Sequence, residues 1–202
     1  MATSNTEIAN MAIAHLGTGL EIANLDTEKS EEAAACRRFY DVALDATLRD
    51  CNWPFTTKIA DLGLVEETPN EEWDYSYRYP SDCITLRKIQ SGIRNETRQS
   101  RVPYKLGRDD TGLLVFTDED EAIIEYTYRE TDPLRYPADF VIALSLKLAF
   151  MIAPRLSKGD PFKIKQELQR EYLMSIGMAK AAAFNEEQAD EEPDSEFIRI
   201  RE

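Results

Sequence analysis

Histidine is nearly missing from this chain, cysteine is sparse, and bases are outnumbered by acids. His15 is the only histidine. It lies among apolar neighbours, and without a Cys-x-x-Cys or a nearby carboxylate cluster a single imidazole makes no zinc site. The three cysteines, Cys36, Cys51 and Cys83, are odd in number and widely spaced. They fit small buried hydrophobes in a reducing compartment better than a disulfide framework. No apolar run reaches the roughly 18 to 20 residues of a membrane span. The opening Met-Ala-Thr-Ser-Asn-Thr-Glu has neither a basic nor an apolar region, so no secretory signal is expected. The chain contains no Gly-rich phosphate loop, no dinucleotide fingerprint, no His-Glu-x-x-His and no Gly-x-Ser-x-Gly.

Lys and Arg number 24 against 38 Asp and Glu, a net charge of −14. That balance argues against a DNA-coating surface, which needs clustered bases. The imbalance is uneven. Residues 185–202 hold eight acids and two bases, whereas 132–184 hold five acids and eight bases. A basic segment in an acidic protein suits docking to an acidic neighbour, including another copy of the chain.

What is present is helical pattern at both ends and alternation between them. Ser4-x-x-Glu7 is a capping box, and Ile8, Met11, Ala12 and Leu16 form a stripe that ends at Gly17. Between Leu20 and Phe55 lies the organising stretch of the chain. Cys36, Tyr40, Ala43, Leu44, Thr47, Leu48 and Cys51 share one helical face, opposite Glu31, Arg38, Asp41, Asp45 and Arg49. Asp26, Thr27 and Ser30 are candidate caps, and Asn52-Trp53-Pro54-Phe55 stops the helix. The first two helices are expected to pack as antiparallel neighbours.

From Pro54 to Thr131 the period is that of strands, in 55–62, 73–79, 113–116 and 122–128, with turns at Thr68-Pro69-Asn70, Ser91-Gly92 and 109–112. Cys83, Leu86 and Ile89 read as a short turn or helix, and 94–101 as a hairpin tip or mobile loop. Helices return at Pro137. The run 138–153 is apolar nearly all round and reads as the core helix, ended by Pro154. Asp160-Pro161 starts another, with Ile164, Leu168, Tyr172, Ile176 and Ala179 on one face. The resulting expectation is α+β: an antiparallel four-helix assembly interrupted by a small inserted antiparallel sheet domain, with an extended C-terminal arm. The boundaries are 1–53 and 133–184 for the helical domain, 54–132 for the β domain and 185–202 for the acidic arm.

The elements Ala14-x-Leu16-Gly17, Ile22-x-x-Leu25, Ala34-x-Cys36-x-x-Phe39-Tyr40, Leu48 and Trp53-x-Phe55 resemble the opening of bacteriophage head-to-tail adaptor proteins. The nearest likeness is to the tail tubular protein A type of short-tailed phages. The resemblance implies a structural virion protein, a homo-oligomeric ring normally of twelve copies beneath the portal vertex. Such a ring carries the tail tube or nozzle proteins, forms part of the DNA ejection channel, and is assembled in the bacterial cytoplasm. The alternative reading is a small acidic cellular protein-binding module without catalytic activity.

No residue qualifies for a catalytic role, and neither cofactor nor metal is expected. Asp118-Glu119-Asp120-Glu121 is a solvated turn rather than a calcium loop, because consecutive carboxylates at a strand turn do not converge. Asp109-Asp110 before Gly112 has the same explanation. Arg94, Arg98, Arg101, Lys105 and Arg108, with Tyr104 nearby, form a local basic run that could touch nucleic acid, although the net charge favours contact with acidic protein surfaces. Two groups are singled out for structure and partners. Trp53, Pro54 and Phe55 form the junction that pins the long helix to the start of the sheet domain. Phe197, Ile198, Arg199, Ile200 and Arg201 form a docking arm, because their apolar side chains follow an acidic tether and have no core to join.

Overall fold

Ser4 opens the first helix, its hydroxyl accepting a hydrogen bond from the Glu7 amide at 3.2 Å. In the computed structural model, which describes residues 4–93, 100–157 and 159–186, this helix is α1 (Asn5–Ala14). It is followed by α2 (Glu31–Asp50), β1 (Thr57–Asp61), β2 (Leu64–Asn70), β3 (Trp73–Arg78), β4 (Cys83–Ile89), β5 (Lys105–Arg108), β6 (Leu113–Thr117), β7 (Ile123–Tyr128), α3 (Ala138–Leu156) and α4 (Pro161–Glu186). The chain divides into two compact units. The helical unit comprises the chain up to Lys58, Asp82–Thr85 and Thr127–Ala183; the other comprises Ile59–Ser81 and Leu86–Tyr126.

Ser30 caps α2, accepting from the Ala33 amide. The apolar face of α2 is buried, and the Thr47 hydroxyl on it donates to the Ala43 carbonyl at 2.8 Å. α3 is the most apolar helix: Phe140, Leu144, Leu148, Ala149 and Ile152 are fully buried in one cluster with Ile8, Ile13, Leu44, Leu48 and Trp53. From α4 come Leu168, Tyr172, Ile176 and Ala179. Pro154 does not end α3 but lies in its last turn, and the helix continues to Leu156. So close to the C-terminus the missing N–H removes one bond without breaking the helix interior.

The expected antiparallel four-helix assembly with one inserted sheet is corrected by the structure. Among the described residues four helices accompany two antiparallel sheets, of three and four strands, which make a small β-sandwich-like domain. The helices are too unequal for a matched bundle: α1 has 10 residues and α4 has 26. Nor do α1 and α2 pair closely, because α1 packs chiefly against α3. The long link after α1 is instead tied to it by side chains. Asn10 accepts from the Ile22 amide at 2.8 Å and donates to the Ile22 carbonyl at 3.0 Å, while Thr6 accepts from the Leu25 amide. Of the acidic C-terminal arm expected at 185–202, the residues beyond Glu186 lie outside the described residues.

The sheets are ordered β1-β7-β4 and β2-β3-β6-β5. Three of these strands do not announce themselves in the sequence. β2 is exposed at nearly every position and runs through Thr68-Pro69-Asn70, so it shows no apolar alternation. As an edge strand it tolerates proline. β4 occupies Cys83–Ile89, where the spacing of Cys83, Leu86 and Ile89 suggests a turn or helix; only Leu86 and Ile89 are buried. β5 pairs with β6 in the register Lys105↔Phe116 to Arg108↔Leu113. Gly107 is required there, since a Cβ would collide with the Phe116 ring. Residues 94–99 lie outside the described residues.

Candidate interaction surface

Trp53, Pro54 and Phe55 begin where α2 stops. Pro54 starts a single 3₁₀ turn, Pro54–Thr56, and Trp53 is buried, donating its indole N–H to the Thr47 carbonyl at 2.8 Å. Its ring meets Phe140 edge to face at 4.9 Å, and Phe55 meets Phe140 at 5.1 Å and Tyr136 at 6.1 Å. These ring partners all belong to the helical unit. The cluster is a structural centre with no polar group positioned for chemistry.

Beside it stands a group that sequence reading missed. The Glu130 carboxylate is buried and accepts from the Thr131 and Asp132 amides, the Tyr128 hydroxyl at 2.8 Å and Arg135 at 3.2 Å. The Tyr136 hydroxyl donates to the Glu130 carbonyl. Burial pushes the Glu130 pKa upward, but the amides, Tyr128 and Arg135 outweigh it and hold the carboxyl below its ordinary value. Next to it Arg129 reaches α2, bonding Asp45 at 2.6 Å and Asp41 at 2.8 Å. The only sequence cue was an Arg-Glu pair ahead of the turn-forming Thr131-Asp132-Pro133.

His15 caps α1, and its Nε2 lies 3.2 Å from the Ser145 hydroxyl on α3. Partial burial lowers its pKa, with Glu171 opposing. Burial also pushes the Cys36 thiol up to about 11, so it is a poor nucleophile. Among the described residues no group of three or more His, Cys, Asp or Glu is arranged to hold a metal ion. Asp109 closes its own turn, accepting from Thr111 and Gly112, and forms a two-bonded pair with Arg78 at 2.8 and 2.9 Å. Asp118 accepts from the Asp74 amide. Of the basic run, Lys105 pairs with Glu72 at 3.0 Å; Arg94 and Arg98 lie outside the described residues. No helix among the described residues is long and apolar enough to cross a membrane.

Large apolar side chains are exposed on the helices. Phe162 is 78% exposed and Met178 69%, with Leu173 and Met174 also exposed on α4 and Ile142 on α3. Two grooves meet at Ile142. One, of about 580 Å³, lies between α1 and α3; the other, of about 410 Å³, lies between α3 and α4. The charged residues lining them are Glu7 and Glu21 in the first, Asp139 and Glu171 in the second, all acidic. Met174, Met178 and Leu146 give the second an apolar floor. The docking-arm residues Phe197, Ile198, Arg199, Ile200 and Arg201 lie outside the described residues.

No model of a known protein family matches the chain, and no curated protein matches it.

Proposed function

We propose that the chain is a structural subunit of a bacteriophage neck. Copies of it form an adaptor ring that joins the portal vertex to the tail tube or nozzle and encloses part of the DNA ejection channel. The observation that carries this reading is the stretch from Ala14 to Phe55. Of the residues that carry its resemblance to head-to-tail adaptors, Leu16, Ile22, Leu25, Cys36, Tyr40, Leu48 and Trp53 are buried in one core cluster, Phe39 and Phe55 pack against it, Ala34 is half-buried, and Ala14 and Gly17 are exposed. The shared residues are therefore mostly those that set a scaffold, which is what a structural family has in common. The exposed apolar side chains of α4 support the reading, since a subunit packed beside its copies needs such a face. The net charge of −14 suits a channel wall, because negative charge keeps passing DNA from adhering.

Native mass spectrometry and electron microscopy of the full chain, with and without the portal protein of the same particle, test the proposal. The expected result is a closed ring that joins the portal as a larger complex. A chain that stays monomeric and ignores the portal at all concentrations overturns it.

A further inference from the structure

The groove between α3 and α4 is apolar on its floor, acidic in its charged lining, and open to solvent. Its occupant should be an apolar peptide carrying positive charge. The chain has such a segment beyond Glu186: Phe197-Ile198-Arg199-Ile200-Arg201, three apolar side chains interleaved with two guanidinium groups. We infer that this segment docks in the α3–α4 groove of a second copy of the chain, so that copies are linked by exchanged C-terminal arms.

Charge order along α4 selects a second copy over the chain's own groove. On α4 the bases Lys163, Lys165 and Arg170 come first, with Glu167 among them, and the groove with Glu171, Met174 and Met178 follows toward the C-terminus, where Lys180 is the one base. The tail has the opposite signs in the same order, an acidic tether at 187–196 and then the basic, apolar arm. A tail running parallel to α4 sets its acidic tether against three bases and its arm against Glu171, whereas an antiparallel tail sets the tether against Lys180 alone. A chain's own tail begins at the far end of α4. To run parallel it must first travel back from Glu186 to Lys163, about 35 Å at the helical rise. The ten tether residues 187–196 span at most about 36 Å fully extended, which leaves nothing for the reversal and return. A neighbouring copy can present its tail in the required direction without that detour.

This inference rests on the proposed self-assembly, and the experiment separates the two. Full chains carrying a photoreactive benzoylphenylalanine in place of Met178 are prepared with ¹⁴N and with ¹⁵N, mixed in denaturant, refolded together and irradiated. The expected product joins position 178 to the peptide 195–202, with pairs carrying one label of each kind. R199E with R201E loses that product, and adding D139R with E171R restores it. Crosslinks only between like-labelled partners mean a chain's own arm fills the groove, and they overturn the inference. So does a ring on the portal in which position 178 captures another segment or nothing; the adaptor reading then survives alone. Mixed-label crosslinks in a chain that ignores the portal leave the arm exchange standing and remove the adaptor reading. Failure of the reversed-charge pair to restore the product, with a folded variant by circular dichroism, also overturns the inference.

Discussion

Trp53 and Phe140 meet edge to face with ring centroids 4.9 Å apart, although every strand among the described residues lies between them in sequence. One ring follows the end of α2 and the other stands in the first turn of α3. The contact closes the helical unit on itself, and Phe55 and Tyr136 enlarge it. Aromatic pairs in this geometry contribute about 0.5–1.5 kcal/mol beyond the area they bury.

Trp53→Ala is therefore expected to lower unfolding free energy by about 3–5 kcal/mol, because it leaves a cavity and frees the Thr47 carbonyl. Urea unfolding followed by circular dichroism reads this directly. A midpoint close to wild type would mean the cluster does not hold the unit together.

Leu144 is fully buried at the centre of α3. Leu144→Asp places a carboxylate where nothing can pair with it, so the variant is expected to be insoluble or unfolded. Leu144→Ala, at a cost of about 2–5 kcal/mol, is the milder control that still folds. A soluble, cooperatively melting Leu144→Asp protein would contradict the central place of α3.

Glu130 gives the pH prediction. Its folded pKa lies below the model-peptide value of 4.5, so the folded state favours the charged carboxylate. Its contribution is fully present above that value and is lost as pH falls through the lower folded pKa. Glu130→Gln should destabilise the protein at neutral pH by about 1–3 kcal/mol, the range for a disrupted buried hydrogen-bonding group. The variant should also lose less stability than wild type on acidification below pH 4.5. Parallel slopes in the two proteins would assign the acid sensitivity to other carboxylates.

The thiols should differ in reactivity. Cys36 and Cys51 are buried, whereas Cys83 is partly exposed. In native protein at neutral pH a disulfide reagent should modify Cys83 first, with Cys36 and Cys51 reacting only after unfolding. Mass spectrometry of the partly labelled chain identifies the site, and early labelling at Cys36 would show that α2 opens locally.

Deleting residues 195–202 should leave the melting temperature of the isolated subunit unchanged while weakening assembly. The arm is proposed to contribute only when a partner is present, and its ordering cost is then met by binding. Wild-type yield of infectious particles from the truncated protein would end the docking-arm idea.

Local signals make the individual helices of this protein legible in its sequence, but not how those helices pack. The faces of α2, α3 and α4, the caps at Ser4 and Ser30, and the burial of Trp53 all follow from local signals: periodicity, a hydroxyl before a helix, a proline after one. In the β half alternation marks β1, β3, β6 and β7 but not β2, β4 or β5. β2 and β5 are largely exposed, and β4 is only partly buried, so the alternation that marks a strand is absent. β4 pairs with the distant β7, whereas β2 and β5 pair with the strands that follow them, β3 and β6, and whether a weakly patterned stretch becomes a strand depends on those neighbours. Glu130 illustrates the same limit at a single residue. A carboxylate can be buried only where amides, a hydroxyl and a guanidinium converge on it, and only the folded chain brings Tyr128, Thr131, Asp132 and Arg135 around one point. The grooves meeting at Ile142 are likewise a tertiary product. Glu7, Asp139 and Glu171 are scattered acids in the sequence, and helix packing alone makes them the charged lining of adjoining apolar grooves.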